Sequence, residues 1–114
     1  MSDIFAERVA AVRQRFAGKL DARINVIASA VPQPGGGGLD ALVLAHREAH
    51  GLCGVGATLG FVGTGKAARS IEQLLLAAVK GERTLTDDEI PRLREGIALL
   101  RSTATAEIHP AGQE

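Results

Sequence analysis

The sequence predicts an all-α chain folded as an antiparallel four-helix bundle, and three observations predict it. Apolar residues recur at spacings of three and four in four successive segments, with no strand-like alternation between them. Aromatic residues are nearly absent, with three Phe and neither Trp nor Tyr. The core must therefore be built from Leu, Ile, Val and Ala, which suits packed helices better than a sandwich or a barrel. The breaks between segments are mostly short and carry Gly or Pro, so that each helix returns alongside the one before it. A length of 114 residues suits one domain spanning residues 1–114.

The first helix is marked by Phe5, Val9, Val12, Phe16, Leu20, Ile24 and Ile27, all on one face. Ser2 or Asp3 can cap its start, Gly18 is a mild cost inside it, and the pattern ends at Val31. Pro32, Gln33, Pro34 and the four glycines of 35–38 break the helix and form a flexible connector. With no strand before it and no lysine after it, this stretch lacks the context of a phosphate-cradling loop. The second helix runs from about Leu39 to Leu59, with Leu42, Ala45, Ala49, Leu52, Gly56 and Leu59 inward. The glycines between Gly60 and Gly65 interrupt, and a third helix follows from about Lys66 to Lys80, with Ala67, Ile71, Leu74, Leu75 and Ala78 inward and Gly81 as its terminator. The fourth begins near Thr86, where Thr86 and Glu89 have capping-box spacing and Leu85 and Ile90 staple spacing. Pro91 falls near its first turn, and Leu93, Ile97, Leu100 and Ala104 form its buried stripe. The tail, 108–114, is expected to fray.

Composition narrows the function. The formal net charge is zero, so no basic excess exists to bind a nucleic-acid backbone. The single cysteine, Cys53, excludes an internal disulfide framework and a multi-cysteine zinc site, and fits a reducing cytosol. No apolar run approaches the ~20 residues of a membrane helix, and Met1 to Phe5 has no signal-peptide pattern. A cytoplasmic protein with neither nucleic-acid nor membrane partners is expected.

The residues around His50 are the unusual ones. His50 follows the inward-facing Ala49 by one position, about 100° around the helix, which places it on the exposed flank. Its surface neighbours, three and four residues away, are His46, Arg47, Cys53 and Gly54, with Ala57 one heptad on. A solvated helix face ordinarily carries Glu, Lys or Arg, and glycine there costs about 1 kcal/mol relative to alanine. A flat patch of small residues beside an exposed imidazole lets a partner's cleft approach the ring. For Gly56, on the inner stripe, close helix packing is the better explanation. Imidazole has an ordinary pKa near 6.5 and offers a neutral nucleophilic nitrogen at physiological pH. A carboxylate that accepts from the other ring nitrogen fixes the tautomer and raises basicity, and Glu72 on the third helix is the candidate.

Ala49-His50-Gly51-Leu52-Cys53-Gly54, then Leu59-Gly60-Phe61, then Ile71-Glu72-Gln73-Leu74-Leu75 resembles the histidine phosphotransfer (HPt) family of two-component phosphorelays. The glycine-rich stretch at Leu59-Gly60-Phe61 is especially similar to the phosphotransfer domain of chemotaxis-type histidine kinases. The resemblance covers residues 45–76 best. It implies that His50 accepts a phosphoryl group on its distal ring nitrogen, that Gly54 leaves room for the partner, and that Glu72 hydrogen-bonds the histidine. It implies response-regulator receiver domains or a sensor histidine kinase as partners, with His46, Arg47, Cys53, Gly54, Ala57 and Arg69 at the docking surface. It implies a phosphoryl carrier with no kinase activity of its own and no cofactor, any magnesium belonging to the receiver. The chain departs from the family pattern at Cys53, where a lysine that favours the phosphorylated state usually stands. Arg47, Lys66 or Arg69 would have to supply the charge instead. The competing expectation is a module that binds a receiver or kinase without passing phosphate.

Two further motifs point elsewhere. Gly60-Phe61-Val62-Gly63-Thr64-Gly65-Lys66-Ala67 nearly matches a P-loop, but Ala67 stands where the magnesium-binding hydroxyl belongs, and a helix precedes it instead of a strand. His46 and His50, with Cys53 as a third ligand, do not complete a metal site, and Glu48 is misplaced for a zinc protease. His109 falls in the tail.

Overall fold

The computed structural model describes residues 4–32 and 38–108. They form four helices, α1 (Ile4–Ala28), α2 (Gly38–Thr58), α3 (Val62–Lys80) and α4 (Glu89–Ile108). Each helix packs on its two neighbours around a closed ring, α1 on α2, α2 on α3, α3 on α4 and α4 on α1, with α2–α3 the most extensive pairing. This is the all-α four-helix bundle that the periodicity predicts. The expected caps at Ser2 or Asp3, the glycines at 35–37 and the tail at 109–114 lie outside the described residues; Gly38 opens α2 with a φ of +61°.

The core is aliphatic, as the composition requires. Leu20, Ile27, Leu52, Ile71, Leu75, Leu93 and Leu100 are all fully buried, each contributing about 1.5–3 kcal/mol relative to exposure. The inward stripes expected of α2 and α4 are buried, except that Leu59 is only half-buried. In α3, Leu74 is half-buried, while Ala67, Ile71, Leu75 and Ala78 are enclosed. Phe16 is the aromatic pivot of α1, its ring 5.1 Å from that of Phe61.

Two expectations are corrected. Phe5, Val9 and Val12 continue the apolar stripe of α1, yet they are exposed, Phe5 at 78%. Every residue from Ile4 to Arg15 is exposed, and burial begins at Phe16. The periodicity marks a face that could be buried; only neighbouring helices bury it. The second correction is the start of α3, at Val62 and not near Lys66. Gly63 and Gly65 belong to the helix, and Gly60, with a φ of +89°, makes the turn. At its other end α3 stops at Lys80, with Gly81 as its C-cap, as expected. Gly81 keeps a right-handed φ of −83°, and Glu82 takes the left-handed conformation with a φ of +48°. The Arg83 amide donates to Ala78 O at 3.0 Å and closes the turn.

The start of α3 is held by a group far away in sequence. Its first amides lack intrahelical acceptors. Glu107, on the last turn of α4, accepts from the Gly63 and Thr64 amides at 2.7 and 2.8 Å and from the Thr64 hydroxyl at 2.6 Å. Burial pushes this carboxyl's pKa up, but the three bonds outweigh it and hold it below the ordinary range. The amides that a P-loop reading would give to a phosphate are thus occupied by the chain's own carboxylate. At the start of α4 the expected capping box forms. The Glu89 amide donates to Thr86 Oγ1 at 3.1 Å, and the Thr86 amide donates to Glu89 Oε1 at 2.9 Å. Arg83 adds a two-pronged ion pair to the same carboxylate, at 2.9 and 3.1 Å.

Among the described residues no helix is long and apolar enough to cross a membrane.

Candidate functional site

Close approach of α2 and α3 frames the site. A Cβ on Gly56 would lie 3.1 Å from Phe61 O and 3.2 Å from Gly65 N, and one on Gly65 would lie 3.2 Å from Cys53 O and 3.3 Å from Ala57 N. The obstacles are backbone atoms, so glycine at both positions is what permits the crossing. One heptad along α2 from Ala57, and one along α3 from Gly65, stand His50 and Glu72. Close packing at the glycines brings their side chains within reach.

His50 Nδ1 is 2.6 Å from Glu72 Oε2. A carboxylate only accepts, so the proton of this bond sits on Nδ1 and the lone pair of the neutral ring sits on Nε2. The His50 side chain is 73% exposed, whereas that of Glu72 is only 20% exposed. The carboxylate is therefore held against the bundle, and the imidazole stands out from it. Such an arrangement supports nucleophilic attack from Nε2, with Glu72 facing the positive charge that would develop on the ring.

The remaining candidates distribute around this pair. Arg47, Gly54, Ala57 and Arg69 are exposed. A Cβ on Gly54 would meet no atom within 4 Å, so the surface beside His50 is open there. Cys53 is half-buried. His46 is also half-buried, with Nε2 enclosed and without a hydrogen-bond partner among the described residues, so that nitrogen is turned away from any docking partner. Lys66 is exposed on the first turns of α3.

Two features escape sequence reasoning. A shallow groove runs from His50 along Gly51, Gly54, Val55 and Thr58 to Leu59 and reaches Val12 of α1. Val12 belongs to a stripe that periodicity alone assigns to the core, so only the packing of α1 on α2 identifies it as a groove wall. The second is Arg23 of α1, which pairs with Glu48 beside the site. Its Nη2 would lie 3.0 Å from a Cβ on Gly51, so Gly51 makes room for a guanidinium from the neighbouring helix. In sequence Arg23 reads as one more charge on a solvated face.

Comparison with known families decides what this site belongs to. A family model, the Hpt domain, matches residues 11–103, most of the chain and all of the α2–α3 framework around His50. The chain belongs to the Hpt domain family. Hpt domains perform histidine phosphotransfer in two-component phosphorelays, with kinases and receivers as their partners. No curated protein and no solved structure matches this Hpt domain. Its matched region begins at Ala11, past the most exposed turns of α1, and ends at Thr103, before Glu107.

Proposed function

We propose that this Hpt domain carries a phosphoryl group on Nε2 of His50 and relays it between aspartates of response-regulator receiver domains, or accepts it from a histidine kinase. The observation that carries this reading is the 2.6 Å contact between His50 Nδ1 and Glu72 on an otherwise exposed imidazole. In the forward step the Nε2 lone pair attacks the phosphorus of an aspartyl phosphate. The bond from phosphorus to the aspartate oxygen breaks, the carboxylate leaves, and the ring becomes a cation that keeps its proton on Nδ1. Glu72 faces that charge and lowers the cost of forming it. The reverse step hands the phosphoryl group to another carboxylate. There is little further covalent chemistry for the protein to perform, so catalysis is positioning and electrostatics. The open surface at Gly54 and the apolar groove toward Val12 give the receiver a place to sit.

Cys53 favours a second reading, a module that binds receivers without transfer, because the usual lysine is missing. One experiment separates them: transfer of radiolabel from a panel of phosphorylated receivers and kinases to the wild type and to His50→Gln. The carrier reading predicts acid-labile, base-stable label on the wild type alone. Binding without label from every donor would support the module instead.

A further inference from the structure

The geometry points to Arg69 as the cation that pairs with the phosphoryl group on His50, supplying from α3 the charge that Cys53 does not supply from α2. The inference rests on the proposal that His50 is the phosphoryl carrier. Its basis is the register of the two antiparallel helices. They are pinned at two places one heptad apart, where Gly65 packs on the Cys53–Ala57 turn and where Glu72 bonds His50. Arg69 is four residues after Gly65 and three before Glu72; Cys53 is three residues after His50 and four before Ala57. Residues three and four apart share one helix face, so Arg69 and Cys53 occupy matching places on the facing edges, midway between the two pins. Three residues of helix rise separate Arg69 from Glu72 by about 4.5 Å, which is within the reach of an arginine side chain.

The surroundings leave this guanidinium available. Arg69 is exposed, and among the described residues it forms no ion pair. On the α2 edge that faces it, Cys53 is half-buried and Ala57 is small and exposed. The other two cations fit less well. Lys66 follows Gly65 by one residue, so it is turned about 100° from the edge that faces α2, and it stands six residues from Glu72. Arg47 precedes His50 by three residues on α2 itself, at the end of the site away from Cys53. A phosphoryl group on nitrogen presents several anionic oxygens, and a planar guanidinium can bind two of them at once.

The test uses potassium phosphoramidate as the donor, so no cognate partner is required. The Nε2 lone pair takes the phosphoryl group, the phosphoramidate P–N bond breaks, and ammonia leaves. The phosphorus-31 shift of phosphohistidine is then followed against pH in the wild type, His50→Gln, Arg69→Gln, Arg69→Lys and the double variant Arg69→Gln/Cys53→Lys, with circular dichroism to confirm folding. A nearby cation favours the dianion. Arg69→Gln is therefore expected to raise the midpoint of the phosphoryl titration by about half a pH unit. Arg69→Lys should keep most of the shift, and Cys53→Lys should restore it in the double variant. A signal on His50 whose midpoint is the same in Arg69→Gln would overturn the role of Arg69 and leave His50 standing as the carrier. Absence of any His50 signal in the wild type would overturn both.

Discussion

In the proposed transfer the two ring nitrogens of His50 have separate work, and single residues decide how it is divided. In the proposed carrier, Glu72 holds the proton on Nδ1 from 2.6 Å away, which leaves Nε2 as the nucleophile. Glu72→Gln keeps the size of the side chain and removes its charge. It should lower the transfer rate by roughly ten-fold or more, while thermal melts stay close to wild type; rapid-quench transfer assays on the two proteins check this. A second residue-scale prediction concerns Glu82, the single non-glycine with a positive φ among the described residues. Replacing it with glycine removes the steric cost of that conformation, so Glu82→Gly should stabilise the fold by about 0.5–1 kcal/mol in urea titrations. At this scale the sequence reveals His50 and Glu72, because both belong to motifs with recognisable spacing. It does not reveal Arg23, Glu82 or Glu107. Arg23 and Glu107 are surface charges until another helix is brought against them, and no local pattern marks Glu82, beside the terminating Gly81, as a left-handed residue.

Glycine has opposite meanings at two positions on α2, and the contrast can be measured. Gly56 faces the backbone of Phe61 and Gly65 within 3.1–3.2 Å of where a Cβ would sit, so Gly56→Ala must push the helices apart. A loss of about 1–3 kcal/mol is expected. Gly54 faces open space, so Gly54→Ala should stabilise the helix by up to about 1 kcal/mol. Chemical denaturation of the two variants tests both signs. Helix α4 carries a pH prediction. The Arg83 guanidinium, followed by the Thr86 amide, lowers the Glu89 pKa from 4.5 to about 2. A depressed carboxyl contributes stability that is full above its unfolded pKa and is lost as pH falls toward the folded one. The stability gap between wild type and Glu89→Gln should therefore close between about pH 5 and pH 2, as read from melts across that range. The elements themselves are well marked in the sequence where a stripe has partners, as in α2 and α4. They are misjudged where it has none, as at Phe5 and Val9, or where glycines lie inside a helix, as at Gly63 and Gly65. The early start of α3 depends on a carboxylate more than forty residues away, which no local pattern contains.

At the scale of the whole bundle, the His50 imidazole stands out into solvent. The ring of helix pairings leaves the His50 flank of α2 facing solvent, with α1 walling one side through Val12 and α3 holding the other through Glu72. In the proposed relay, a receiver docking there would meet an apolar groove, a small-residue surface and an imidazole whose tautomer is already set, so little reorganisation would remain for the transfer step. The most direct test is a long-range proton–nitrogen NMR spectrum of the protein before and after phosphorylation, with His50→Gln to assign the ring. The expected result is a His50 ring protonated at Nδ1 in the free protein and phosphorus-coupled at Nε2 in the phosphorylated one. Phosphorus on Nδ1, or on His46 or His109 with His50 unmodified, would contradict it.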